Sequence, residues 1–293
     1  MKKFASFLLI LLFTALLLSP GSAFSKSIPG IKTFELAYKV GPGQSFTMKS
    51  EGTTTIKSEQ MGQSITFDMM MANETACRVL SGAPGGNMQY EMEFKSRKQS
   101  AKSEMGGGEA DFSGWIGKKV GFNLSPRGAL SGFQGFDQLP AVAGATGEKV
   151  TGQMIQAGMS DQFFMLPDHP VKIGETWTVK DSSDIPYGSN TLKKVGTTTY
   201  TAVETAAKDG MDCLRIDVKA TVKLSGAFEQ QGMQMDLTRE TKSTGVIYFA
   251  FEKGMFINIE TTSVGHSEVN VPAASMTIPQ DITSKSSIKV IFN

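Results

Sequence analysis

The run Asn87–Ser100, NMQYEMEFKSRKQS, places Met88, Tyr90, Met92 and Phe94 at every second position, with Gln89, Glu91, Glu93 and Lys95 between them. Side chains alternate across a β-strand, so this spacing turns one face to a core and the other to water. The pattern recurs along the chain. Thr33–Gly41 (TFELAYKVG) alternates Phe34, Leu36 and Tyr38 with Glu35 and Lys39, and predicts a strand. Ser45–Gln60 and Ser64–Leu80 continue it. Gly, at 31 residues, and recurrent Thr and Ser clusters suit turns and strands better than long helices. Strands and helices do not alternate regularly, which disfavours a doubly wound α/β sheet. Antiparallel neighbours need only short turns. The expected class is mainly β: two repeated antiparallel β-meander halves, forming curved sheets or an open barrel, with a short connecting helix.

The repeat is visible in three pairs of segments. Gly85–Ser96 aligns with Asp209–Ala220, Val120–Leu130 with Val246–Phe256, and Gly41–Lys49 with Lys172–Lys180. Within the second pair Gly128 matches Gly254. Both glycines follow a polar pair between apolar alternating segments, where a tight hairpin needs a residue with positive φ. The order and near-constant offset of these matches point to an internal duplication. The expected organisation is a signal peptide over 1–23, a first half over 24–135, a connector over 136–170 and a second half over 171–293. Within the connector, Val150, Met154, Ile155, Met159 and Phe163 recur at roughly helical spacing. This predicts a short helix around Glu148–Gly158, its apolar stripe on a concave sheet face.

The first residues have the layout of a secretory signal peptide. Lys2 and Lys3 precede an apolar stretch, Phe4–Leu18, and then Pro20, Gly21, Ser22 and Ala23. The apolar stretch is shorter than the roughly 20 residues that span a bilayer as a helix. Cleavage near Ala23 would leave an exported protein, periplasmic or extracellular, with no transmembrane segment. Without Lys2 and Lys3, 27 basic residues face 28 acidic ones. That balance, with no basic run, argues against nucleic acid as a partner.

In an oxidising compartment Cys77 and Cys213, the only cysteines, permit one disulfide. Two buried free thiols fit the sequence equally well. With His169 and His266 the only histidines, a histidine metal site is nearly excluded. Thioethers in Asp68–Asn73 and Gln231–Asp236 would suit Cu(I), but their β-like spacing reads better as a flexible apolar lining. No nucleophile elbow, HExxH, CxxC, EF-hand loop or P-loop appears. No catalytic residue, cofactor or metal ligand is therefore assigned, and the chain reads as non-enzymatic.

The stretch Leu166–Trp177, LPDHPVKIGETW, carries the most specific signal. Pro167 and Pro170 remove two backbone donors, which suits a connector that must not extend a sheet. Gly174 fits a turn and Trp177 a large buried anchor. Asp168 fits a turn cap and His169 a solvated turn position. The stretch resembles the signature LPxxPVxxG(D/E)xW of an uncharacterised family of exported bacterial β-proteins, matched by Leu166, Pro167, Pro170, Val171, Gly174, Glu175 and Trp177. The expected layout also resembles, at the level of the fold, the periplasmic lipoprotein carriers. Those resemblances imply a periplasmic or cell-envelope protein holding an apolar or lipid-like ligand, or a lipoprotein, in a sheet concavity. Two other readings remain: an envelope structural or protein-interaction module without a small ligand, and a hydrolase built on converging carboxylates. The shape of the interior separates the three.

Overall fold

The structure is a computed structural model that describes residues 32–60, 63–83, 85–104, 106–187, 190–230 and 233–293. The expected signal peptide lies outside the described residues. In chain order the strands are β1 (Thr33–Phe34), β2 (Ser45–Gln60), β3 (Gln63–Gly82), β4 (Met88–Ser103), β5 (Gly106–Glu109), β6 (Lys119–Leu124), β7 (Leu130–Gln134), β8 (Val142–Ala143) and β9 (Lys149–Val150). The helix α1 (Gly152–Gly158) follows. Then come β10 (Val171–Lys172), β11 (Thr176–Tyr187), β12 (Asn190–Lys208), β13 (Met211–Gln230), β14 (Met233–Ala250), β15 (Met255–Val271) and β16 (Met276–Phe292).

Twelve strands make one open antiparallel sheet, in the order β11-β12-β13-β14-β15-β16-β2-β3-β4-β6-β7, with β5 added beside β4. The segments that match in sequence hold matching places in this order: β2 with β11, β4 with β13, β6 with β14. The halves do not stay apart. β16 pairs with β15 on one side and β2 on the other, and joins the two meanders into one surface.

Curvature brings distant strands together. Phe46, Tyr90, Phe122, Ile216, Phe249 and Phe256 share one large core at one end of the strands. At the other end, Ile185, Leu224, Phe228 and Val269 form a second cluster, and Ile56, Met69 and Ile282 a third. Between these apolar ends the concave face turns polar. Thr54, Ser284, Ser263 and Ser243 sit at paired registers on β2, β16, β15 and β14, and all are buried. Thr54 and Ser284 are hydrogen-bonded through their hydroxyls at 2.9 Å.

The strand expected over Thr33–Gly41 needs correction. Only Thr33–Phe34 pair, with Val171–Lys172 of β10. Phe34, Leu36, Tyr38 and Val40 are nevertheless all buried. The alternation reports burial rather than sheet pairing. This segment threads between two turns, with Tyr38 N–H donating to the Pro126 carbonyl (2.9 Å) and Lys39 N–H to the Gly254 carbonyl (3.1 Å).

The helix is shorter than expected. Lys149–Val150 pair instead with Val142–Ala143, and α1 starts at Gly152. Thr151 caps it, its hydroxyl accepting from Met154 N–H. A side chain at position 152 would run into the Phe136 carbonyl, so the first helical residue must be Gly.

Candidate functional site: the concavity beside the connector helix

The joint Leu166–Trp177 leads from the connector into β11. Pro167 is buried and its carbonyl accepts from Arg127, whereas Pro170 is exposed. Gly174 has φ +88° and donates its N–H to Ala202 at 2.7 Å. Trp177 stacks on Tyr200, and its Nε1–H donates to the Met165 carbonyl at 3.3 Å. Asp168 and His169 do face each other, unlike most adjacent pairs: Nδ1 lies 2.9 Å from Asp168 Oδ1 and Nε2 lies 2.6 Å from Glu175 Oε1. These hydrogen bonds hold the His169 pKa above its ordinary value. The group is exposed and lines neither cavity described below. It fastens a turn, in which Glu175 Oε2 also accepts from Lys172 N–H at 3.0 Å.

Gly128 and Gly254 both have positive φ, +96° and +66°. Each also stands where a Cβ would strike backbone: the Phe164 carbonyl at 128, and Ala37 and Lys39 at 254. The disulfide left open by the sequence does not form. Cys77 and Cys213 are free and buried. Cys77 packs in the large core, while Cys213 packs with Ala250 and Ile257 in a separate cluster. Burial pushes their pKa values up, to about 12 and about 11.

The connector crosses the concave face and leaves a cavity on each side of α1. The larger, about 750 Å³, lies under β11–β15 and is lined by Val179, Tyr200, Val218, Val222, Ile247 and Phe164. Its buried cation is Lys194, only 6% exposed, which donates to Asp161 and lies 4.0 Å from Asp181 Oδ2. Asp161 keeps about a third of its side chain open, 35%, yet protein surrounds it. Burial raises its pKa, and the Lys194 ammonium opposes that rise. Asp161 and Asp181 thus converge in a cleft, as a hydrolase would require, but a lysine lies between them.

The smaller cavity, about 260 Å³, borders β2, β3 and β4 and is lined by Met69, Met71, Met154, Ile155, Ile288 and Arg97. Asp161 and Ile259 border both cavities. Tyr187 from β11 also reaches the smaller one, so strands from distant places in the sheet order face each other there. The Arg97 guanidinium lies 4.8 Å from the Phe112 ring and 5.5 Å from Trp115. Its Nη2 donates to Met71 Sδ at 3.7 Å, and its Nε is sealed without a partner among the described residues. Burial alone lowers its pKa, to about 10. Taking a cation out of water costs several kcal/mol, and ring faces return about 0.5–2 kcal/mol.

Sequence reading assigned no role to Lys194, Asp161 or Arg97. Lys194 had a readable signal, since it shares its strand face with Leu192 and Tyr200. Arg97 had none. The series Met88–Phe94 runs on even numbers, and a bulge at Lys95 then moves the inward face to Arg97, Gln99 and Ala101. The two thioether runs do not meet, although Met69 and Met71 both border the smaller cavity. Met69 is buried, Met70 is 60% exposed, and Met235 lies in another cluster. Among the described residues no three His, Cys, Asp or Glu side chains are placed to hold a metal, and no helix is long and apolar enough to cross a membrane.

No curated protein matches the chain. Among solved structures, the outer membrane channel DcaP of Acinetobacter baumannii aligns over 85% of this chain and 96% of its own, at 6% identity and a TM-score of 0.19. That score is too low to bear on fold or function, and the matched protein is not a lipoprotein carrier. Residues 85–256, more than half of the sequence and on both sides of the joint, match the model of a family of unknown function, DUF6263, and the chain belongs to that family.

Proposed function

We propose that this is an exported, non-enzymatic protein of the bacterial periplasm or cell envelope that holds an apolar or lipid-like ligand in the concavity of its sheet. The observation that carries this reading is the cavity of about 750 Å³ between connector and sheet. Ligand pockets are concave, largely apolar and carry a few placed polar groups. Here much of the wall is Val, Ile and aromatic side chains, and the charged groups are Lys194, Asp161, Asp181 and Asp184, with Gln153, Gln156, Ser160 and Thr198 beside them. A protein-interaction module would more simply have a filled interior and an apolar patch outside. The exposed apolar residues, such as Met70, Ile173 and Val264, are spread over different elements.

The test is native mass spectrometry of protein purified from the periplasm, followed by lipid extraction. The expected result is a co-purifying amphiphile that Ala220→Phe, which fills the cavity from β13, displaces without loss of folding. Protein that arrives empty and takes up no lipid from a mixed extract would overturn the reading.

A further inference from the structure

We infer that the smaller cavity is a carboxylate site, where Arg97 holds the head of a singly charged acidic amphiphile while the apolar part lies against Met69, Met71, Met154 and Ile155. This rests on the reading of the concavity as a lipid-like ligand site, and it names the chemistry of the head.

Arg97 is a cation that the protein surrounds but does not neutralise. Its neighbours are two aromatic rings and a thioether. The acids bordering the same cavity have other engagements. Glu148 accepts from Gln99 Nε2 at 3.0 Å, from Thr146 Oγ1 at 2.5 Å and from Thr146 N–H at 3.1 Å. Asp161 is held by Lys194. Glu51 lies between Ser50 and Gly52, on the opposite face of β2 from those inward positions. Burial lowers the Arg97 pKa only to about 10, so the charge persists at neutral pH.

Asn73, paired with Arg97 across the strands, has a buried Oδ1 with no partner among the described residues, while its Nδ2–H donates to Ser50 Oγ at 3.1 Å. Turning that amide over would let Ser50 donate to Oδ1 and free two N–H donors for an anion; the two ends of an amide are assigned from such networks. One guanidinium matches one negative charge, which favours a carboxylate over a phosphate monoester of about −2. Met69, Met71, Met154, Ile155 and Ile288 give the same cavity an apolar wall for the rest of the ligand, although Thr54, Gln99, Glu148 and Thr261 also border it.

The experiment is calorimetric titration of the full chain with decanoate, 1-decanol and acetate. Decanoate is expected to bind at least about tenfold more tightly than decanol, as a charge-assisted contact would give. Acetate should not compete at matched concentration. Arg97→Met should bring decanoate down to the level of decanol and leave decanol unchanged. Arg97→Lys, which keeps the charge without the planar stack, should retain part of the preference and is the second variant should Arg97→Met not fold. Equal binding of decanoate and decanol to the unaltered protein would overturn the carboxylate site and leave the apolar-ligand reading standing. A preference that survives both Arg97 variants would also overturn it. Acetate binding as tightly as decanoate would mean a small-anion site and would overturn the amphiphile. If neither ten-carbon probe binds, both readings fall together.

Discussion

Trp177 lies flat on Tyr200, with ring centroids 5.2 Å apart and planes 17° from parallel. The two residues are register partners on β11 and β12, so the stack pins the edge strand to its neighbour. Trp177 is 9% exposed and its indole N–H reaches back to the connector at Met165. Removing the ring takes away edge packing, stack and hydrogen bond at once. Trp177→Ala is expected to cost about 3–5 kcal/mol, and Trp177→Phe clearly less. Urea unfolding followed by far-ultraviolet circular dichroism measures both. A cost below about 1 kcal/mol for the alanine variant would contradict the anchoring role.

Gly128 and Gly254 do the same job at two related turns. Both use positive φ, and both let the N-terminal segment 34–40 pass close by. Gly128→Ala and Gly254→Ala should each destabilise by about 1–3 kcal/mol from backbone conformation, with a further penalty because the new Cβ meets the Phe164 carbonyl at 128, and at 254 the Ala37 and Lys39 backbone as well as the Lys39 side chain. As a control, Gly43→Ala has positive φ but open space, and should cost only the conformational part. Equal costs at all three positions would show that the close approach of the connector at 128 and of the N-terminal segment at 254 imposes nothing.

Much of this fold is legible from alternation alone. The bounds of β2 and the buried face of Met88, Tyr90, Met92 and Phe94 follow directly from it. Two physical effects hide the rest. Alternation records which side chains are buried, not what the backbone bonds to, and so Leu36–Val40 look like a strand although the Tyr38 and Lys39 N–H groups go to turn carbonyls. A bulge reverses the parity of a strand without leaving a mark in its hydrophobic pattern, and so Arg97 looks solvent-facing although it lines a cavity. The candidate site depends on both effects and on a connector whose path no local pattern fixes.

The two cysteines should be chemically silent. They belong to different buried clusters, and Cys213 alternates along β13 with the concave-facing Leu214 and Ile216. A disulfide needs Cα atoms within about 7 Å, so closing one here would require the sheet to unfold. Burial also keeps both as thiols at neutral pH. Peptide mapping under non-reducing conditions should find both free, and a thiol reagent should label them only in denaturant. A bridged peptide joining Cys77 to Cys213 would refute the arrangement.

His169 should tie stability to pH within a narrow window. Its folded pKa is raised by hydrogen bonds to Asp168 and Glu175, so its contribution is complete below the unfolded histidine value, about 6.5, and is lost as pH rises through the folded value. Asp168 and Glu175 are shifted down, Asp168 mainly by His169 and Glu175 first by the Lys172 N–H, so their contribution is present above about 4 and is lost as pH falls. The group therefore helps most between those limits. His169→Gln should lower the melting temperature slightly there, and the difference should fade as pH rises through the folded histidine value. Because Asp168 and His169 are exposed and Glu175 is partly so, the effect should shrink with salt. A melting-temperature difference of constant size from pH 5 to 9 would rule out the titration.

Lys194 should matter far more than its place among surface-type residues suggests. Its side chain is 7% exposed and sits between Asp161 and Asp181 inside the larger cavity. Lys194→Met leaves those carboxylates without their cation. Removing one partner of a buried pair costs about 3–5 kcal/mol, and the open third of Asp161 reduces the expected loss to about 1–3 kcal/mol. The loss should depend on pH with a defined sign. Burial already raises the folded pKa of Asp161, and without the ammonium it rises further. The unfolded chain ionises near about 3.9, so the deficit of the variant should be small at that pH and grow as pH rises through the folded value. Lys194→Met combined with Asp161→Leu removes both charges and should recover most of the stability, as apolar replacement of a buried pair does. Unfolding curves for the two single variants and the double variant at pH 4 and pH 7 complete the cycle. A coupling of zero at pH 7 would mean that the pair does not hold the connector against the sheet.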